Sequence, residues 1–265
     1  EISLLNNVPA AAELDALLIF GGDGTVHHQL GFLAPRKIPF LVVPTGSGND
    51  FAVCVGVQSH AKALHLWRSF LNGAQAIREL DLGVIKCQES ERYFCNVAGI
   101  GLDASANRMA NSWPRWLRGN GGYILAALGA MCSEQAQKIE AATASAAQGE
   151  WKSWLHESAT LVAIGNTQSY GGGMRITPRA QPDDSLLDVC FVRECSALRL
   201  LQLFPSVFKG GHLERAEIAY MQAERVRITT PQPMDIYADG EFAGRTPAEF
   251  SLQRRALRVI APPSG

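Results

Sequence analysis

A chain of 265 residues, 47% of them hydrophobic, is long enough for one large or two ordinary domains, each with its own core. Its 24 Lys and Arg almost cancel its 25 Asp and Glu, and no dense arginine run occurs, which argues against nucleic acid as a partner. Six scattered cysteines without a CxxC pair argue against a disulfide framework or a zinc site and point to reduced thiols in a cytoplasmic protein.

The first element is an apolar run at residues 16–20, read as a short buried strand. A glycine-rich turn follows it, Gly21-Gly22-Asp23-Gly24-Thr25, and then a helix over residues 26–32. The pattern repeats with a strand at 40–43, a second turn Pro44-Thr45-Gly46-Ser47-Gly48-Asn49-Asp50, and a short helix starting at Phe51. A clearer helix comes next, with Ala63, Leu66, Trp67, Phe70 and Leu71 at helical spacing. Strands alternating with helices predict a parallel sheet, so residues 1–80 read as an α/β domain.

From about residue 77 the chain turns strand-rich, and residues 81–265 read as an antiparallel sandwich or barrel. Strands are expected at 77–85, 93–100, 160–165, 187–192, 226–230, 234–238, 248–252 and 257–260. Helices are expected at 123–137 and 197–208. The alanine-rich stretch 141–147 suits either a helix or a hairpin around Gln148-Gly149-Glu150. The longest apolar window, residues 123–132, is too short to span a bilayer, and no signal peptide is legible, so no transmembrane segment is expected.

The two turns carry the chemistry. A turn at the carboxyl end of a parallel strand is where open α/β sheets bind ligands. Glycines bring bare N–H groups against a polyanion, and the Thr25 and Ser47 hydroxyls add donors. Neither turn is a Walker loop, and neither matches GxGxxG. Asp23, between two glycines, suits a magnesium partner beside nucleotide phosphates; the plainer reading is an Asp stabilising its own turn. Asn49 and Asp50 suit a phosphate clamp and equally the cap of the helix beginning at Phe51.

Further on, Tyr170-Gly171-Gly172-Gly173-Met174 precedes Pro178, Asp183, Asp184 and Asp188. Asp184, with the backbone carbonyls of Gln181 and Leu186, could hold a hard cation, or the stretch is a solvated acidic turn. Asp239-Gly240-Glu241 reads locally as a hairpin turn. Its functional reading makes Glu241 a general base for a hydroxyl, with Asp239 helping to place metal or phosphate. One of His27-His28 could touch nucleotide, or the pair could simply lie on a helix surface. Trp113, Arg115, Trp116 and Arg118 suit a membrane interface or ordinary loop packing.

Taken in order, these motifs resemble the diacylglycerol kinase catalytic family, which includes bacterial lipid kinases and sphingosine kinases. The resemblance rests on residues 21–25, 44–52, Gly99-Ile100-Gly101-Leu102-Asp103-Ala104, 166–178, 183–189 and Asp239-Gly240-Glu241. It implies a Rossmann-like α/β nucleotide-binding domain followed by a β-sandwich domain, with the active site between them, ATP and Mg²⁺ as cofactors, and transfer of the γ-phosphate to a lipid hydroxyl. By motif, Gly22, Asp23, Gly24, Thr25 and Ser47 are the implied ATP contacts, within a wider set of Gly21, Val26, His27, Thr45, Gly46 and Asn49. Glu241 becomes the proton acceptor, with Asp23 and Asp239 beside it, and Gln181, Asp184 and Leu186 the implied magnesium site. The implied partner is a lipid at a membrane surface, contacted peripherally, with a homodimer left open.

Three departures stand out. His27 replaces the usual Asn, Ser185 replaces a common Gly, and residues 1–16 lack the strand–helix unit with an Asn-Pro loop that the family places before the first turn. Without that unit one wall of the nucleotide site is expected to be open, or the sequence to be a fragment. The rival readings are an NAD kinase, which shares the Gly-Gly-Asp-Gly turn, and a nucleotide- or lipid-binding protein without catalysis.

Overall fold

The computed structural model describes residues 14–74, 77–88, 90–112, 120–133, 136–145 and 149–263. The two apolar runs form neighbouring parallel strands, β1 (Leu17–Gly21) and β2 (Pro39–Pro44), with Leu17 opposite Phe40 and Gly21 opposite Pro44. Between them runs α1 (Asp23–Arg36), which buries Val26, Leu30 and Leu33 and stops at Lys37 in the left-handed region. It is longer at both ends than periodicity predicts, because Gly22, in extended conformation, lets the helix start directly at Asp23. Two more helices follow, α2 (Asp50–Cys54) and α3 (His60–Leu71). The Ser59 hydroxyl caps α3 by accepting the Lys62 N–H.

The strand β3 (Ile77–Cys87) opens the antiparallel part, followed by β4 (Ser90–Phe94) and β5 (Val97–Gly101). The sequence predicts one strand at 93–100. It breaks at Cys95 and Asn96 because their N–H groups turn to the Asp239 carboxylate instead of a neighbouring strand. Next come α4 (Leu102–Ser112), missed in the sequence, and α5 (Asn120–Ser133). The helix expected to reach 137 ends at Ser133, and Gln137 already opens β6 (Gln137–Ala144). Of the alanine-rich stretch, residues 141–144 lie in β6, which pairs antiparallel with β7 (Lys152–Gly165), Thr143 opposite Lys152; residues 146–148 lie outside the described residues.

Strand β8 (Leu187–Arg193), helix α6 (Ala197–Val207) and β9 (Ile218–Ala223) follow. Then come β10 (Arg225–Thr229), β11 (Asp235–Ala238), β12 (Glu241–Arg245) and β13 (Ala248–Ile260). The sequence reads two strands where β13 is one. Its register shifts between Gln253 and Leu257, where Arg255 takes φ 50.

β13 joins the two halves. Its first residues pair with β3 and β10, while Arg258 and Val259 lie parallel to Pro39 and Phe40 of β2. The core around β1, β2 and α1–α3 therefore also holds Leu257, Val259 and Ile260 from the end of the chain. A second core, including Phe94, Phe191 and Phe250, lies within the antiparallel strands, and a third lies between them and α4–α6. Phe51 stacks on Phe40 with ring centroids 6.1 Å apart, which fixes α2, and so the second turn, against β2. Burying such a ring contributes roughly 1.5–3 kcal/mol.

Candidate active site

Parallel pairing of β1 with β2 delivers both glycine turns to the same edge. They press together backbone to backbone: the Thr45 N–H donates to the Gly21 carbonyl (3.1 Å) and the Asp23 N–H to the Gly48 carbonyl (3.0 Å). A Cβ on Gly22 would collide with the Gly48 carbonyl oxygen, and one on Gly46 with the Gly22 backbone. These two glycines are thus required by loop-on-loop contact, a reason the sequence did not reveal. Thr25, Thr45 and Ser47 are exposed on the outer side of the turns. Val26, placed among the nucleotide contacts by motif, packs its side chain fully into the first core instead.

Asp23 is held as firmly as it holds. Its carboxylate accepts the N–H groups of Asp50 (3.0 Å) and Phe51 (2.9 Å), so it, and not Asn49, caps α2. The Asn96 amide approaches it at 3.5 Å. Burial, with the charges of Asp50 and Asp239 in support, pushes its pKa up to about 6 against those two hydrogen bonds. Asn49 instead closes its own loop, accepting the Gly46 N–H and donating to the Gly46 carbonyl. The buried Asp50 reaches across to the triglycine segment and accepts the N–H groups of Gly172 and Gly173, both at 2.9 Å. Those glycines have φ 90 and 93, a conformation L side chains rarely adopt.

Asp239 and Gly240 form the turn between β11 and β12, both with positive φ, as a tight hairpin requires. The Asp239 side chain is wholly buried. Its Oδ1 accepts N–H groups from Asn96 (2.9 Å) and Val97 (3.3 Å), and its Oδ2 accepts the Cys95 N–H (2.8 Å) and faces His27 Nδ1 (3.1 Å). An oxygen pair so filled is not open to metal or phosphate, which corrects the role expected for Asp239. It pins the hairpin to the β4–β5 break and to α1.

Glu241, two residues on, is half exposed, with Oε1 4.0 Å from His28 Nε2. Burial disfavours the charged ring of His27, but its hydrogen bond to Asp239 and the charges of Asp239 and Glu241 outweigh this and raise its pKa. The structure therefore brings Asp23, His27, Asp239 and Glu241 into one electrostatic group through Asn96, from segments more than 200 residues apart.

The acidic loop lies elsewhere. The Asp184 N–H donates to the Gln181 carbonyl (3.4 Å), and Asp184 Oδ1 accepts the Leu186 N–H (2.9 Å). Ser185 takes φ 65, a value glycine adopts freely, and its N–H is held by Asp81 (2.8 Å). Asp81 also accepts the Arg255 N–H (2.7 Å), tying this loop to the bulge of β13. Burial, then nearby Asp81 and Asp183, raise the Asp184 pKa against its bond to Leu186. One carboxylate and flanking carbonyls in such crowded negative charge fit a hard cation that keeps several waters. Among the described residues no group of three or more His, Cys, Asp or Glu side chains forms a metal cage.

Sequence reasoning also missed an apolar cavity. Leu102, Ala106, Met131, Met174, Leu203 and Phe204 are among its lining, from α4, α5, α6 and the triglycine segment. Asn107, one turn beyond cavity-lining Asp103, comes within 3.8 Å of where a Gly240 Cβ would stand, so α4 links the cavity to the Glu241 turn. His212 forms part of the wall; its Nε2 bonds the Ile176 carbonyl, and its buried Nδ1 has no partner. No periodicity marks a cavity built from so many separate segments. Trp113, Arg115, Trp116 and Arg118 lie outside the described residues. No described helix is long and apolar enough to cross a membrane.

Residues 3–85 match the diacylglycerol kinase catalytic domain, and residues 96–261 match the YegS C-terminal NAD kinase beta sandwich-like domain. A diacylglycerol kinase of Mycobacterium tuberculosis is 34% identical over 258 residues, covering 95% of this chain and 78% of that protein. One from Bacillus subtilis is 26% identical over 256 residues, covering 96% and 80%. In fold, the chain resembles the crystal structure of a putative diacylglycerol kinase from Bacillus anthracis, with TM-score 0.73, 23% identity, and 94% and 79% of the two chains covered. It also resembles yeast NADH kinase, with TM-score 0.52 and 11% identity over 93% and 60% of the chains. With the turns, the hairpin and the two halves arranged as described, this chain belongs to the diacylglycerol kinase family and is a lipid kinase.

Proposed function

We propose that the protein transfers the γ-phosphate of ATP to the hydroxyl of a lipid, a diacylglycerol-like or sphingoid-like alcohol. The observation that carries this reading is the linkage of the two glycine turns to Glu241 through Asp23, Asn96, Asp239 and His27. In it, the Gly24 backbone and the exposed hydroxyls of Thr25 and Ser47 hold the phosphates, and Glu241 faces the acceptor. The alcohol oxygen attacks the γ-phosphorus in line, the bond to the β-phosphate oxygen breaks, and the hydroxyl proton passes to Glu241. Bound Mg²⁺ supplies charge neutralisation at the phosphates. Asp23 stands nearest the turns for that ion, and Gln181, Asp184 and Leu186 would hold a second, structural one.

The apolar cavity favours a lipid acceptor over NAD, whose ribose and phosphates have no counterpart in such a lining. In this reading residues 1–80 carry the nucleotide and residues 81–265 the acceptor, at the cytoplasmic face of a membrane. The test is incubation with labelled ATP and MgCl₂, first with a total lipid extract and then with NAD. A labelled lipid is expected. Label in NADP and none in lipid would overturn the reading, and tight ATP binding without transfer to either would reduce the protein to a binder.

A further inference from the structure

We infer that α5 and α6 form the surface that docks on the bilayer, and that the acceptor lipid passes between them into the cavity beneath. This rests on the lipid-kinase reading above and adds to it the face that meets the membrane. The first observation is compositional. The segment Asn120–Ser133 contains no Asp, Glu, Lys or Arg, yet it lies partly on the surface, with Leu125 58% exposed. A surface helix of a water-soluble protein normally carries charge on its outer face. One that carries none is suited to an apolar neighbour.

The second observation is the pairing of inner and outer faces. Helix α6 packs against α5 and exposes Leu198 (67%) and Leu201 (37%), while its single charged side chain, Arg199, is tied down by Glu217 at 2.6 Å. On their inner faces the same two helices line the cavity through Met131, Leu203 and Phe204. A bilayer touching the outer leucines is therefore separated from the cavity by only one layer of helix. Scattered exposed leucines are ordinary on any surface. Leucines on the outside of the helices that roof an apolar cavity are not scattered, and burying each in acyl chain contributes roughly 1.5–3 kcal/mol.

The occupant is a lipid bilayer. A second copy of the chain, the other candidate for an apolar face, is an outcome of the test.

The experiment uses the full chain and co-sedimentation with vesicles of phosphatidylglycerol and phosphatidylcholine, beside the triple variant Leu125→Glu, Leu198→Glu, Leu201→Glu. The variant is expected to lose at least ten-fold in vesicle-bound fraction. It should raise KM for a long-chain acceptor presented in vesicles and leave unchanged the rate on a short-chain acceptor kept below its critical micelle concentration. That unchanged rate also certifies the fold; the milder Leu125→Gln, Leu198→Gln pair should show the same effects in smaller measure. A control variant, Leu64→Glu with Leu71→Glu on α3, should bind vesicles as the parent does. Unchanged vesicle binding in the triple variant overturns the inference. So does equal loss in the α3 control, or concentration-dependent dimers that the triple variant abolishes. If no lipid is phosphorylated at all, the kinase reading falls, while vesicle binding still reports on the docking face.

Discussion

His27 Nδ1 lies 3.1 Å from Asp239 Oδ2, joining the helix that begins at the first glycine turn to the hairpin that bears Glu241. Because Asp239 raises the ring's pKa despite burial, the pair has a defined pH signature. A histidine whose folded pKa exceeds its unfolded value of about 6.5 adds stability that is fully present below that pH. It is lost as pH rises through the folded value. Replacing His27 with Asn removes the titration. Thermal melts from pH 5 to 8 should show the parent losing stability relative to the variant as pH rises. Parallel curves would remove the charged pair.

Asp23 runs on a related sign. Its pKa of about 6 lies above the unfolded value of 3.8, so its contribution is full below pH 4 and lost as pH rises through 6. Asp23→Asn should flatten that slope. It also gives up one of two hydrogen bonds to the start of α2, which costs about 1 kcal/mol. The carboxylate is therefore structural as well as a phosphate-site candidate, and Asp23→Ala is not a clean test of a metal role. A melt of Asp23→Asn indistinguishable from the parent at every pH would contradict the cap.

Asp50 predicts a loop effect. It is the buried acceptor for two consecutive N–H groups of the triglycine segment. Removing it with Asp50→Ala leaves both donors unsatisfied, at about 1–3 kcal/mol. Amide exchange at Gly172 and Gly173 should quicken far more than exchange in β7. Uniform quickening across the chain would mean global destabilisation instead.

Much of the α/β half is legible because strand, turn and helix there are local: residues 16–25 and 40–51 contain their own signals. The antiparallel half is legible in its strands and less so in their joins. The break at Cys95–Asn96 depends on a carboxylate at position 239, and the single strand β13 depends on a bulge anchored by Asp81. Neither cause lies within ten residues of its effect. The same limit applies to the site. The motifs name Asp239 and Asn49, and only distances reveal that Asp239 is already filled by backbone donors and that Asn49 serves its own loop.

Glu241 tests the chemistry with the fold held constant. Its side chain is half exposed, with the His28 ring 4.0 Å away, so exchange for Gln disturbs no buried contact. Turnover should fall by roughly 10²–10⁴-fold if the side chain takes the alcohol proton. The melting temperature and the ATP affinity should stay put. A variant that retains turnover sends the search for the base elsewhere.

The glycines of the first turn separate fold from ligand in a way no other residues do. Gly22 has no room for a methyl group: its Cβ would strike the Gly48 carbonyl oxygen, so Gly22→Ala must push the two turns apart and lower stability. Gly24 stands one residue into α1 with nothing within 4 Å of its would-be Cβ. By helix propensity alone, Gly24→Ala should stabilise the protein by about 0.5–1 kcal/mol. If the open space above it is where phosphates lie, the same methyl group must raise KM for ATP at least ten-fold. A more stable protein with weaker nucleotide binding is thus the expected result, measured by melting and by initial rates on one sample. Unchanged KM in the stabilised variant would move the phosphates off this turn.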